Sequence, residues 1–70
     1  MDIRQLEYFI AAAQRGNFTK AAEDLFITRQ ALSKVVRNLE HETGLTLMDN
    51  KDGHLELTAE GRTLFDDAEP

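Results

Sequence analysis

The stretch from residue 18 to residue 39 constrains the fold of this chain more than any other. It reads FTKAAEDLFITRQALSKVVRNL. Apolar residues recur at helical spacing on both sides of a short break, which predicts a short helix over residues 20–26 and a longer one over about residues 29–42. Two helices joined by a tight turn are typical of a helix-turn-helix, here over about residues 18–38.

Polar residues mark where these two helices begin. Thr19 and Thr28 each precede a helix, and a threonine hydroxyl can accept a hydrogen bond from a backbone amide of the first turn. Phe26 and Ile27 fall in the turn between the helices, and we expect both side chains to fill the core beneath it.

The longer helix is amphipathic. Its apolar face follows the i, i+3, i+4, i+7 pattern through Leu32, Val35, Val36 and Leu39. The opposite face holds only basic or neutral hydrogen-bonding residues until Glu40, in a protein rich in acids. Many amphipathic helices simply present such a face to solvent. Here, however, the residue types are those that pair with base edges, and the preceding short helix and turn supply the geometry for DNA binding.

The candidate DNA contacts follow from the geometry of the motif. Because the N-terminal end of the second helix enters the major groove, we interpret Arg29, Gln30, Ser33 and Lys34 as the base-reading residues. Arg37, further along the helix, is expected to meet phosphate. Helix N-termini attract anions, so Thr19, Lys20 and Thr28 are further candidates for phosphate contacts.

The charges are distributed unevenly along the chain, although the chain as a whole is acidic. Net charge is −5, from 8 basic and 13 acidic residues, which counts against nucleic acid as a partner. Residues 15–38 nevertheless hold five basic and two acidic residues, whereas residues 39–70 hold two basic and nine acidic ones. The five basic residues are Arg15, Lys20, Arg29, Lys34 and Arg37. Distant carboxylates are largely screened at a Debye length of ~8 Å, so this local patch can bind phosphate.

A first helix is predicted before the helix-turn-helix. Asp2 and Gln5 have the spacing of a capping box, and Gly16-Asn17 is expected to end the helix. Its predicted apolar stripe consists of Ile3, Leu6, Phe9, Ile10 and Ala13.

A two-stranded wing is predicted over about residues 45–57. Leu45 and Leu47, and then the residues from His54 to Leu57, alternate in the manner of strands around the turn signal Asp52-Gly53. Lys51 and His54 flank this turn and are candidates for contacts with the DNA backbone or minor groove. Asp49 and Asp52 oppose that interpretation, because carboxylates repel phosphate.

A fourth helix is expected from Ala59 onward, capped by Thr58. One of its faces carries Gly61, Leu64, Phe65 and Ala68. The sequence thus predicts a mainly α fold with a three-helix core, a wing and the beginning of a further helix over residues 59–70.

Catalysis and metal binding have little support in the sequence. The chain has no cysteine and only two histidines, and His41-Glu42 lacks the second histidine of a zinc HExxH site. No apolar run approaches the roughly 20 residues of a membrane span, and the N-terminus lacks the pattern of a secretory signal. We therefore expect a cytoplasmic protein that is not an enzyme and has no membrane partner, with no metal and no cofactor in this domain.

The sequence resembles the DNA-binding domain of LysR-type transcriptional regulators. The resemblance is carried by RQLEYFIAAAQRGNFTKAAEDL, by TRQALSKVVRNLEHETGLTL and by the closing LTAEG, over about residues 3–62. It implies a winged helix-turn-helix domain over residues 1–58, followed by the truncated start of a linker helix at residues 59–70.

The resemblance also implies properties of a longer protein. Such regulators are bacterial proteins of roughly 300 residues that bind double-stranded DNA as dimers or tetramers, pair through the linker helix and respond to a small co-inducer. The fragment alone is expected to be a monomer or a weak dimer. Members often carry Gln-Pro or Gln-Ser where this chain has Arg29-Gln30, a Phe in place of Met48 and an Arg in place of Asn50.

The residues leave two alternatives open. One is a winged-helix module that binds another protein, which the net charge of −5 favours. The other is a complete small repressor of the phage type. DNA binding through the second helix of the helix-turn-helix fits the sequence better than either.

Overall fold

The computed structural model describes residues 1–68, which form four helices and one two-stranded antiparallel sheet. The predicted fourth helix ran to residue 70, and residues 69 and 70 lie outside the described part. The elements in chain order are α1 (Ile3–Arg15), α2 (Phe18–Leu25), α3 (Arg29–Thr43), β1 (Met48–Lys51), β2 (His54–Leu57) and α4 (Ala59–Ala68). The fold is mainly α, as predicted.

Helix α1 begins with the predicted capping box. Asp2 Oδ1 accepts a hydrogen bond from the Gln5 amide at 2.8 Å, and Gln5 Oε1 accepts one from the Asp2 amide at 3.0 Å. Phe9 and Ala12 are buried, whereas Ile3 is 74% exposed. Including Ile3 in the inward stripe was wrong, because helical spacing places Ile3 on that face but does not require the face to be covered at the first turn of α1.

Helix α2 starts two residues earlier than predicted. Asn17, not Thr19, is the N-cap: its side-chain oxygen accepts a hydrogen bond from the Lys20 amide at 2.9 Å. The side-chain nitrogen of Asn17, Nδ2, also donates to the carbonyl of Gly53 in the wing turn, at 3.1 Å. The interpretation of Thr19 as a cap was therefore wrong, and its exposed side chain lies within the first turn of the helix.

Phe26 and Ile27 in the turn between α2 and α3 were both expected to fill the core, but only Ile27 does so. Ile27 packs against the core, but Phe26 is 94% exposed. Phe26 has φ 59 and closes α2, with its amide donating to the Glu23 carbonyl and that of Ile27 to the Ala22 carbonyl. This is the geometry of a Schellman C-cap, and in it the Phe26 side chain is left in solvent.

Helix α3 agrees closely with its prediction. Thr28 Oγ1 accepts a hydrogen bond from the Ala31 amide at 3.0 Å, so Thr28 is the N-cap, and Gly44 is the C-cap with φ 72. Leu32, Val36 and Leu39 are buried. The opposite face of α3 remains at the surface.

The wing strands are shorter than predicted. β1 begins at Met48 rather than Leu45, and Leu45 is 43% exposed. Residues 45–47 instead form an irregular segment that leads from α3 into the wing. The Asp52-Gly53 turn is as predicted, since both residues have positive φ (53° and 83°), the combination of a tight hairpin turn.

The core lies where α1, α2 and α3 meet beneath the wing. Its buried residues are Phe9, Ala12, Ala21, Ala22, Leu32, Val36, Leu39, Leu47, Met48 and Leu55. The two alanines of α2 allow its backbone to approach the neighbouring helices, which places the short α2 firmly against α3. Leu64 and Phe65 of α4 pack against the edge of this core.

Candidate nucleic-acid interface

The polar face of α3 is a continuous exposed surface. Six of its side chains line one shallow depression: Arg29, Gln30, Ser33, Lys34, Arg37 and Asn38. The α-helix returns to the same face every three or four residues, which explains why these positions come together. Ser33 is half-buried, and the other five are exposed. The four residues predicted to read bases therefore share one face, with Arg37 one turn beyond them.

The three cations of this face are available to a ligand. Among residues 1–68, Arg29, Lys34 and Arg37 take part in no ion pair. The face also carries no carboxylate before Glu40. An anionic partner would thus meet three positive charges that no acidic side chain among residues 1–68 pairs with.

The residues predicted to contact phosphate lie at two helix N-termini. Thr28 caps α3 beside Arg29. Thr19 and Lys20 lie in the first turn of α2 and are exposed. Because Asn17 provides the cap, the Thr19 hydroxyl is not needed to close the helix. The positive end of a helix dipole favours anions at both places.

The wing offers less positive charge than its sequence suggested. The side chains of Lys51 and Glu56 lie on the outer face of the hairpin, and Lys51 Nζ is 3.6 Å from Glu56 Oε1. Lys51 stands opposite His54 in the strand register, and Asp49 stands opposite Glu56. Lys51 and His54 therefore share their surface with two carboxylates.

One contact of α3 with the wing segment was not predicted from the sequence. Glu40 Oε2 accepts hydrogen bonds from the amides of Leu47 at 2.8 Å and Met48 at 3.2 Å. Glu40 also lines a narrow cleft between α3 and the wing, together with Ser33, Arg37 and Asn50. No local pattern in the sequence indicates this role, because it depends on where the chain returns after α3.

No three residues of the types His, Cys, Asp and Glu lie close enough together to hold a metal ion within residues 1–68. Within the same residues, none of the helices is both long and apolar enough to cross a membrane.

Two packed helices with a tight turn, an exposed cationic face on the second helix and a following β-hairpin define a winged helix-turn-helix domain. The chain belongs to the lysR family of bacterial regulatory helix-turn-helix proteins, whose family model matches residues 3–62. The resemblance noted in the sequence is thereby confirmed.

Individual relatives support the same assignment. The chain is 45% identical to the uncharacterized HTH-type transcriptional regulator YcgK of Bacillus subtilis over 99% of its length, and 41% identical to a probable cat1 operon transcriptional activator of Acinetobacter lwoffii over 97%. Its fold matches that of the CbnR DNA-binding domain in a crystal structure with DNA, with a TM-score of 0.93 and 37% identity over 97% of this chain and 78% of the other.

The chain spans about a fifth of the length of these regulators, 21% of YcgK and 22% of the Acinetobacter protein. Membership of this family does not favour the two alternatives, a protein-interaction module and a phage-type repressor.

Proposed function

We propose that this chain is the part of a transcription regulator that recognises one half-site of double-stranded DNA. Helix α3 lies in the major groove with its N-terminal end toward the bases. Arg29, Gln30, Ser33 and Lys34 meet base edges there, since Arg and Lys suit guanine, Gln suits adenine and Ser suits either. Arg29-Gln30 supplies two long hydrogen-bonding side chains and is the main source of base preference.

The exposed face of α3 is the observation that carries this proposal. It combines neutral hydrogen-bonding groups with three cations that form no ion pair within the described residues 1–68, in a protein whose net charge is −5. A face evolved only for solubility in such a protein would be expected to share the acidic character of the rest. The concentration of positive charge on one helix indicates an anionic ligand.

Phosphate contacts fix the position of the helix in this proposal. The Thr28 hydroxyl can still donate its proton to a phosphate oxygen while its oxygen accepts the hydrogen bond from the Ala31 amide. Thr19 and Lys20 reach the neighbouring phosphates from the N-terminus of α2, and Arg37 reaches the backbone on the other side of the groove. Such contacts set the register on the duplex but do not select its sequence.

The wing contributes flanking contacts through Lys51 and His54. Their contribution is expected to be smaller than that of α3, because Glu56 competes with phosphate for the Lys51 ammonium group. An arginine in place of Asn50, as in many members of the family, would add a charge that this wing lacks.

The proposal is tested by fluorescence anisotropy with duplexes obtained by binding-site selection. Affinity is expected to fall steeply as the salt concentration rises, because each phosphate contact made by the protein releases counterions from the DNA. Lys34→Ala should weaken binding clearly, whereas Lys51→Ala, which removes a lysine already paired with Glu56, should weaken it little. The absence of duplex binding at low salt, even by a dimeric form of the chain, would refute the proposal.

The whole regulator is proposed to act as a dimer or tetramer that pairs through the continuation of α4. Two α3 helices would then occupy successive major grooves about 34 Å apart. A small co-inducer would bind outside this chain and not in the domain described here. We infer a cytoplasmic location from the proposed access to chromosomal DNA, and we assign no catalytic residue.

A further inference from the structure

We propose that Glu40 and Gly61 are positioning residues that fix the direction of α4 relative to the recognition helix α3, and thereby set the spacing between DNA half-sites that the regulator accepts. This inference rests on the proposed function, because it concerns how two copies of the same DNA-binding surface are placed. It assigns a role to two residues that do not themselves face the DNA.

The first contact lies between α3 and the irregular segment at residues 45–47. Glu40 is half-buried, and its Oε2 accepts the amide protons of Leu47 and Met48 at 2.8 and 3.2 Å. Hydrogen bonds to an ionised acceptor are stronger than those between neutral groups. Glu40 lies one helical turn before the end of α3, so its carboxylate ties this segment directly to the recognition helix.

The second contact lies between the same segment and α4. The Thr58 amide donates to the Leu47 carbonyl at 3.1 Å, and the Thr58 hydroxyl donates to the carbonyl of Thr46. Gly61 packs against the same carbonyl so closely that a Cβ placed on it would lie 1.9 Å from the Leu47 oxygen and 2.9 Å from the Leu47 carbonyl carbon. Only glycine permits this approach of backbone to backbone.

Leu47 is therefore held on both sides. Its amide is bound to the carboxylate of Glu40 on α3, its carbonyl is bound and covered by Thr58 and Gly61 of the α4 region, and its side chain is fully buried. A segment fixed by its amide, its carbonyl and its side chain has little freedom to act as a hinge. Movement of α4 is thus transmitted to α3 rather than absorbed between them.

The consequence for DNA recognition is geometric. If two copies pair through α4, the angle between α3 and α4 determines where the second α3 meets the duplex. One inserted base pair moves a half-site by about 3.4 Å and rotates it by roughly 35°. A rigid junction should therefore accept one spacing and reject its neighbours, whereas a loosened junction should accept several.

The experiment uses the chain as a dimer, joined after α4 to a two-stranded coiled coil, and duplexes in which the spacing of two half-sites changes by one base pair at a time. Affinity for a single half-site is measured in parallel with the unfused chain. The wild-type dimer is expected to show one sharp optimum, where the bivalent gain over a single half-site is on the order of 100-fold or more.

Three variants and one control variant distinguish a positioning role from an effect on general stability. Glu40→Ala should broaden the optimum to neighbouring spacings with single-site affinity within about twofold of wild type, since two amides lose their shared acceptor. Glu40→Gln retains an acceptor oxygen and should keep the wild-type optimum. Gly61→Ala should move the optimum, because the added methyl group must displace α4 or the Leu47 segment. Thr63→Ala, on the exposed side of α4, is the matched control and should leave the optimum unchanged.

Circular dichroism and urea unfolding establish whether each variant is folded. If Gly61→Ala does not fold, the spacing preference of Glu40→Ala alone tests the inference. Folded Glu40→Ala and Gly61→Ala proteins that keep the sharp wild-type optimum would overturn the inference. If the wild-type chain does not bind a single half-site, the proposed function is overturned instead, so the two failures are distinguishable.

Discussion

The guanidinium Nε of Arg15 lies 3.1 Å from Oδ2 of Asp24, which joins the end of α1 to the last turn of α2. Arg15 was one of five basic residues that gave the segment from residue 15 to residue 38 its positive charge. Its pairing with Asp24 removes it from the charge available to DNA. The effective patch is therefore narrower and centres on α3 and the N-terminus of α2.

Arg15→Ala should consequently leave DNA affinity and its salt dependence nearly unchanged. Lys34→Ala, on the exposed face of α3, should weaken binding clearly, because Lys34 is assigned to a base edge and takes part in no ion pair among residues 1–68. Anisotropy titrations of both variants over a series of salt concentrations test this difference. An effect of Arg15→Ala equal to that of Lys34→Ala would show that Asp24 does not hold Arg15 in the complex.

Arg37 and the pair Arg29-Gln30 should differ in what they contribute. Arg37→Ala is expected to weaken binding about equally on all sequences, because a phosphate contact carries no base information. Replacing Arg29 or Gln30 by alanine should relax preference at one or two base pairs by about 1–3 kcal/mol. Binding to a set of singly substituted duplexes measures both effects, and a changed base preference in Arg37→Ala would reverse the assigned roles.

The fold was largely predictable from local signals. The capping box of Asp2, the cap at Thr28, the stop at Gly44 and the turn at Asp52-Gly53 each depend on a few adjacent residues, and the structure has all four. The face of α3 was predictable for the same reason, since helical periodicity alone brings its side chains together.

Contacts between distant segments could not be predicted in this way. Asn17 and Thr19 lie two positions apart and are both good caps, and the choice of Asn17 depends on a bond from its side chain to Gly53 in the wing. The acceptor role of Glu40 and the close packing of Gly61 on Leu47 depend on where the chain returns after α3. Periodicity places a residue on a face but does not say how far that face is covered, hence the exposure of Ile3.

The correct N-cap of α2 can be tested by stability. Asn17→Ala removes the acceptor for the Lys20 amide and the bond to Gly53, and should lower the free energy of unfolding by about 1–2 kcal/mol. Thr19→Ala should change it by less than about 0.5 kcal/mol, as expected for an exposed residue outside such a feature. Urea unfolding in the absence of DNA measures both, and a larger loss in Thr19→Ala would restore Thr19 as the cap.

Glu42 should make stability depend on pH in the acid range. Gln5 Nε2 donates a hydrogen bond to Glu42 Oε2 at 3.1 Å, and the N-terminal ammonium group lies 3.0 Å from Glu42 Oε1. Both contacts favour the ionised carboxylate and hold the pKa of Glu42 below its usual value. The folded protein thus protonates Glu42 at lower pH than the unfolded chain does. The resulting stabilisation is fully present above the pKa of Glu42 in the unfolded chain and is lost as the pH falls through its lower pKa in the folded protein.

Glu42→Gln cannot titrate, so the advantage of wild type over this variant in urea midpoint should shrink as the pH is lowered. Carboxyl NMR should show the pKa of Glu42 rising toward its usual value in Gln5→Ala, since the Gln5 hydrogen bond is the largest cause of the shift. A wild-type advantage that stays constant across the acid range would contradict this account.

Phe26 and Ile27 should respond oppositely to substitution, although both are apolar residues of the same turn. Phe26 has φ 59 and is 94% exposed, so its side chain contributes no packing and its backbone bears the steric cost of the left-handed conformation. Asparagine tolerates that conformation, and Phe26→Asn should raise the free energy of unfolding by up to ~1 kcal/mol.

Ile27→Ala should lower the free energy of unfolding by about 1–2 kcal/mol. This loss is smaller than for a fully buried isoleucine, because Ile27 is only half-buried. Urea unfolding of the two variants decides between this account and one in which Phe26 packs against the domain in solution, for which Phe26→Asn would be destabilising.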